Sequence, residues 1–424
     1  MVNSTNQAPF RASCVKVNIT PDKPQWLLGY GPRQSNGIHD NLYHRIVGMD
    51  NGKFFFLVSS DHACFSPFLY DEFCKELEQK TGIRSEQVWW TSTHTHSAPE
   101  VGHQGLAMLF LPDRYIHESN PEYTEFFKDA LIEGIKEAQS KLEPARLGTG
   151  KGVSMANVNR RQFTPDGQCH LGVNPEGAVD RQIGLIRLER VDGTPIALIA
   201  NYAMHGTVLG GENCLITADA PGVVAEYVES KIGAPMLFIN GAQGNIAPLY
   251  STRSDFVSGR IDEFKTLLGD KILEANQDIH DTYSDISFWT GKTFVETTKR
   301  SDIGWIDNLK DYLHINGQEL VRIPVYFLTI NRDTLIWGAP LELFCEIAMN
   351  IRANSPYPNT FYFGLTNGTL LYLPTKKAFA EGGYEPSVSP FTEDAEGDFT
   401  ETVISYIRDI SPIITNRILG YKNN

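Results

Sequence analysis

The 424-residue chain lacks an apolar run long enough to cross a bilayer, a CxxC pair, an internal repeat and an excess of basic charge. Each absence removes a class of function. Without a long apolar run, no integral membrane segment is expected. The six cysteines, Cys14, Cys64, Cys74, Cys169, Cys214 and Cys345, are scattered without zinc-finger or disulfide-framework spacing, which suits a reducing compartment. A formal net charge of −14 argues against nucleic acid or an anionic membrane surface as partner. Residues 1–7 are polar and carry neither the basic nor the apolar stretch of a signal peptide, so a cytoplasmic location is expected. There is no Pro- or Ser-rich linker, and residues 1–424 read as one domain.

What is present is ordinary globular composition, 41% hydrophobic and 21% charged. Strand-like runs alternate with helical periodicity. Residues 53–61 and 87–91 read as strands, and 69–80 as a helix ended by Gly82. Residues 122–142 read as a helix, and 183–188 with 196–202 as a hairpin around Asp192-Gly193. Pro221 is expected at the first helical position of a helix reaching about residue 231. A strand at 236–239, a helix at 260–276, strands at 321–330 and 334–337, a helix at 342–352, a strand at 360–365 and a closing helix at 399–410 complete the pattern. The fold class is α/β, with mixed β-sheets flanked by helices. Strands repeatedly end in polar or Gly-rich loops, where such enzymes place their sites.

The densest of those loops is Thr93-His94-Thr95-His96-Ser97-Ala98-Pro99, directly after Val88-Trp89-Trp90. Two imidazoles at this spacing face one way and can serve one metal ion or one substrate. His205 ends a second strand, Glu342 follows a third, and Tyr372 comes just past a fourth. Two histidines and a carboxylate form a set that catalytic zinc uses. Each also fits a quieter role. The histidines can be hydrogen-bonded core groups, Glu342 can complement a helix N-terminus, and Tyr372 can be packing.

Several further segments, met in order from about Asn18 to Pro390, resemble the neutral/alkaline ceramidase family, whose catalytic domain hydrolyses the amide of ceramide with one zinc. They are Gly29-Tyr30, Gly37-Ile38-His39, the His94-Thr95-His96-Ser97 segment, Asn157-Val158-Asn159-Arg160, Val179-Asp180, His205-Gly206-Thr207, Thr217-Ala218-Asp219-Ala220-Pro221-Gly222, Gly364-Leu365-Thr366-Asn367 and Tyr384-Glu385. The resemblance implies Zn2+ as cofactor and His94, His205, Glu342 and Tyr372 as its ligands. It implies that His96 acts on the water or substrate, and that Arg160 and Tyr384 polarise the substrate.

The chain departs from the family where a G-D-x-S-P segment is replaced by Gly244-Asn245-Ile246-Ala247-Pro248, so a catalytic serine is missing at Ala247. The family's C-terminal immunoglobulin-like domain is not expected here either. These departures favour direct attack by zinc-activated water on a soluble small-molecule or acylated-amine substrate, and disfavour ceramide itself. Hydrolysis of an ester or glycoside on the same scaffold, and a metal-binding pseudoenzyme, stay open as alternatives. Trp26, Tyr30, His103, Arg161 and the Gly210-Gly211-Glu212-Asn213 loop are candidate pocket residues, with Glu212 and Arg161 equally readable as solvated charges.

Overall fold

A computed structural model of the chain describes residues 9–250 and 257–418. The strands Val88–Ser92 and Met236–Asn240 are buried at every position, which is why they read as unbroken apolar runs rather than as alternations. They end an eight-stranded mixed sheet. Its order is Met236–Asn240, Pro195–Tyr202, Gln182–Arg190, Glu143–Val153, Arg11–Asn18, Tyr43–Asp50, Phe54–Ser60 and Val88–Ser92. The two halves join through only two residue pairs, Arg11 with Pro144 and Ala12 with Glu143. The sheet curls there until its ends meet. Ser59 Oγ donates to Phe238 O at 2.6 Å and Asn240 Nδ2 to Thr93 O at 3.1 Å, which ties the two ends together.

A second sheet of Phe288–Thr298, Glu319–Ile330, Thr334–Gly338 and Asn359–Phe363, with Leu313–Ile315 added, packs against the first. The alternation of strand side chains assigns each residue a layer. Phe55, Leu57 and Trp89 meet Leu328, Ile336 and Phe361 between the sheets. Phe56, Val58 and Trp90 turn the other way, onto Phe73 and Leu77 of the helix Pro67–Thr81 and Phe127 and Leu131 of the helix Pro121–Ser140. On the far side, Phe327 and Trp337 pack with Phe399 and Val403 of the helix Ala395–Ile418. The layers therefore run helix, sheet, sheet, helix. No described helix is long and apolar enough to cross a membrane.

Local signals explain several elements. Ser66 caps the helix Pro67–Thr81, and Gly82 ends it at φ 75°. The hairpin of Gln182–Arg190 and Pro195–Tyr202 turns through Gly193 at φ 90°. Three expectations need correction. The helix expected to open on Pro221 begins at Asp219, where the carboxylate accepts from the Val208, Leu209 and Ala220 backbone N–H groups and fixes the turn. The segment expected as a helix at 260–276 is divided into a 3₁₀ stretch Val257–Glu263, a wide π turn Lys265–Asp270 and an α-helix Lys271–Gln277. It widens where Gly269 lies against the Tyr227 ring and Asp270 accepts from the Tyr227 hydroxyl. Glu342 does not start a helix. Glu342–Leu343 is a short strand, and the helix begins at Cys345.

Candidate metal centre

The loops that carry the histidines leave the edge strand Val88–Ser92 and the strand Pro195–Tyr202, one in from the other edge, and their backbones are tied together. Thr95 and Gly206 form a parallel bridge, His96 N donates to Gly206 O at 2.9 Å, and Gly206 N donates to His94 O at 3.2 Å. A Cβ on Gly206 would lie 2.8 Å from the His94 carbonyl oxygen, so only glycine permits the approach. His94 itself sits in the left-handed region at φ 64°.

The tautomers follow from the partners. His94 Nδ1 is 2.7 Å from Ala63 O, and His205 Nδ1 is 2.9 Å from Ile246 O. A carbonyl only accepts, so each ring carries a proton on Nδ1 and turns Nε2 to the centre, the nitrogen that a metal would use. Both Nε2 atoms stand 3.2 Å from Glu342 Oε2, an acceptor that is buried and has no hydrogen-bond partner. His96 Nε2 is 3.3 Å from His94 Nε2. One atom from each of the three histidines falls within 4.8 Å of the others.

Burial alone would push the Glu342 carboxyl up, but the His94 and His205 rings hold it well below the usual carboxylate range. Burial pushes the His205 imidazole down to about 3, with Arg160 adding to the effect, and it pushes His96 well below its ordinary value. The Nε2 atoms of His94 and His205 and the Oε2 of Glu342 converge on one buried point. The donor set fits a divalent metal that takes nitrogen and oxygen.

Glu342 and Tyr372 are register partners on two short parallel strands, Glu342–Leu343 and Tyr372–Leu373. Left-handed Leu365, Asn367 and Leu371 bend the loop that delivers Tyr372 from the strand Asn359–Phe363. The Tyr372 phenol is buried and driven well above its usual range by that burial and by the Glu342 charge. The Tyr384 ring lies 5.8 Å from the Tyr372 ring, centre to centre. Arg160 reaches in from the strand Asn157–Phe163. Its Nη1 donates to His205 Nε2 at 3.0 Å, and its buried Nη2 has no partner.

The structure thus brings His94, His96, His205, Glu342, Tyr372, Arg160 and Tyr384 to one place. His96 lies as close to the other histidines as a ligand would. Sequence reasoning overlooked the role of Glu385. This carboxylate is 1% exposed, and its two oxygens each take one guanidinium at 2.8 Å, Arg160 Nε and Arg161 Nη1. Arg161 is accordingly a buried, paired charge and not a solvated one. His103 and Glu212 are exposed, while Tyr30 packs edge-on against His96 at 5.1 Å. Asn245 has a structural task. Its Oδ1 accepts from Cys345 N and its Nδ2 donates to Glu346 Oε2, an arrangement that an aspartate would break by setting two carboxylates together. Ala247 is buried next to Ile246, whose carbonyl holds His205.

Gly29 makes a test of this packing. At φ 109°, a Cβ there would lie 2.5 Å from His96 Cγ. Gly29→Ala is expected to displace the His96 ring, keep the bound metal and lower kcat by roughly tenfold or more. Steady-state kinetics with metal analysis checks this, and an unchanged kcat would remove His96 from the reaction.

Residues 17–261 match the family model described as neutral/alkaline non-lysosomal ceramidase, N-terminal. The neutral ceramidase of Pseudomonas aeruginosa is 25% identical over 256 residues, covering 57% of this chain and 37% of that protein. Neutral ceramidase B of Dictyostelium discoideum is 27% identical over 156 residues, covering 35% of this chain and 20% of that protein. The matches thus span well under half the length of these relatives. The crystal structure of the P. aeruginosa neutral ceramidase superposes with a TM-score of 0.77 at 18% identity, over 96% of this chain and 75% of that one. At that identity the likeness establishes the α/β fold.

Proposed function

Because the chain belongs to the neutral/alkaline non-lysosomal ceramidase family, we propose that it hydrolyses the amide bond of an N-acylated amine with a zinc ion held by His94, His205, Glu342 and Tyr372. The observation that carries this reading is the buried, unpartnered Glu342 Oε2 facing two imidazole Nε2 atoms at 3.2 Å. Zinc in such a site lowers the pKa of a water toward neutrality and polarises a carbonyl.

The remaining work belongs to the protein. His96 turns Nε2 toward the centre, 3.3 Å from His94 Nε2, and is the group placed to take the proton of the attacking water and return it to the leaving nitrogen. The water oxygen bonds to the amide carbon, the C–N bond breaks, and the amine departs with that proton. Arg160, with a spare Nη2, and the Tyr384 hydroxyl donate to the carbonyl oxygen as it gains charge. Glu385 holds the Arg160 guanidinium in place. This route uses no serine, which agrees with alanine at position 247.

Groups from Gly29 to Glu385 serve one site, so we treat the chain as one catalytic unit. The six free cysteines suit a reducing cytoplasm. Metal analysis of the purified protein is expected to give about one zinc per chain, with amine release from N-acyl substrates that a chelator stops and zinc restores. No zinc after reconstitution would end the metal reading. Zinc with cleavage of esters alone would end the amidase reading.

A further inference from the structure

The ring of Tyr384 is in contact range of two guanidinium groups. The guanidinium carbons of Arg160 and Arg114 are each 6.0 Å from the ring centre. The two are balanced differently. Arg160 is paired with Glu385. Arg114 has no carboxylate within ion-pair distance among the described residues. It ends the short turn Pro112–Arg114, is half-buried, donates from Nη1 to Gly29 O at 3.0 Å and also bonds the Tyr384 hydroxyl. These contacts leave part of its five-donor fork free.

Several other arginines are paired, on a chain where acidic residues outnumber basic ones 51 to 37. Arg45 is held by Asp61 and Glu229, Arg161 by Glu381 and Glu385, and Arg352 by Asp180. Beside Arg114, Arg33 is likewise without a carboxylate partner among the described residues. It lies 4.8 Å from the centre of the Tyr30 ring and spends its donors on the backbone oxygens of Leu28, His96 and Asn213. Two arginines without an ion-pair partner among the described residues thus stand near Tyr384 and Tyr30, beside the metal centre. A long alkyl chain laid over a half-buried guanidinium would strip its water and return nothing. A carboxylate would match the fork in geometry and charge.

We propose that Arg114 is a specificity residue that binds a carboxylate carried by the substrate close to the scissile amide, so that the preferred substrates are N-acylated amino acids and not neutral N-acyl lipids. The inference rests on the amidase reading above and narrows its substrate class.

The test compares zinc-loaded wild type with Arg114→Met and Arg114→Lys on N-lauroylglycine and N-lauroylethanolamine, which share an acyl chain and differ in the anionic group. The readout is the ratio of the two kcat/KM values, because Arg114 also touches Tyr384 and the separate rates can move for that reason. Wild type is expected to favour lauroylglycine by roughly ten- to hundredfold. Arg114→Met is expected to bring the ratio close to one, chiefly through the KM for lauroylglycine, and Arg114→Lys to retain part of it. A wild-type ratio of one or below, or the same ratio in Arg114→Met, overturns the proposal. If neither amide releases amine, the amidase reading has failed, and calorimetry with the same two compounds decides the rest. Tighter wild-type binding of lauroylglycine that is lost in Arg114→Met upholds the carboxylate site, and equal binding overturns it.

Discussion

Glu342→Gln is expected to remove metal and turnover together while leaving the metal-free protein at least as stable as before. Glutamine keeps the shape of the side chain, so packing is preserved. Its amide NH2 can donate to the Nε2 atoms of His94 and His205, which stand 3.2 Å from Oε2. A neutral amide is a poor ligand for zinc, so affinity should fall by at least about a hundredfold and kcat by roughly a thousandfold or more. Zinc stoichiometry, amine release and thermal melting with and without chelator measure the three effects. Full zinc occupancy in the variant would show that Glu342 is not a ligand.

Glu385→Gln is expected to have the largest effect on stability. One buried carboxylate here neutralises two buried guanidiniums, with oxygens 2.8 Å from Arg160 Nε and Arg161 Nη1. Glutamine gives one of them an acceptor and turns an NH2 toward the other. Arg161 keeps Glu381 at 3.3 Å, whereas Arg160 keeps no carboxylate among the described residues. Breaking a buried ion pair on one side costs about 3–5 kcal/mol. Urea unfolding at neutral pH reads this directly, and a loss under about 1 kcal/mol would mean that water already compensates these charges. The surviving folded enzyme should lose kcat more than KM, since Arg160 is a group whose contact with substrate strengthens as charge develops.

How far the sequence reveals this arrangement depends on the range of the signal. The helix Pro67–Thr81 is legible because its period, its cap Ser66 and its stop Gly82 are all local. The hairpin around Asp192-Gly193 is legible for the same reason. Glu342 is legible as a site candidate but not in its conformation. Its two-residue strand exists through pairing with Tyr372–Leu373, a partner that periodicity cannot supply. The candidate site residues could be named through motif order. The importance of Glu385, Arg161 and Arg114 could not, because whether a charge is paired or left over is a property of neighbours distant in the chain. Arg114 stands in a loop with no repeating pattern.

The order in which the site's groups occur along the chain has a consequence for biosynthesis. The three histidines belong to loops of the first sheet, tied by backbone at Thr95 and Gly206 and by Ile246 O to His205. Glu342 and Tyr372 come from the second sheet, long after His205. In chain order the nitrogen donors of the proposed centre come first and its carboxylate and phenol last. If Glu342 and Tyr372 are ligands as proposed, full metal capture would wait until the second sheet has docked.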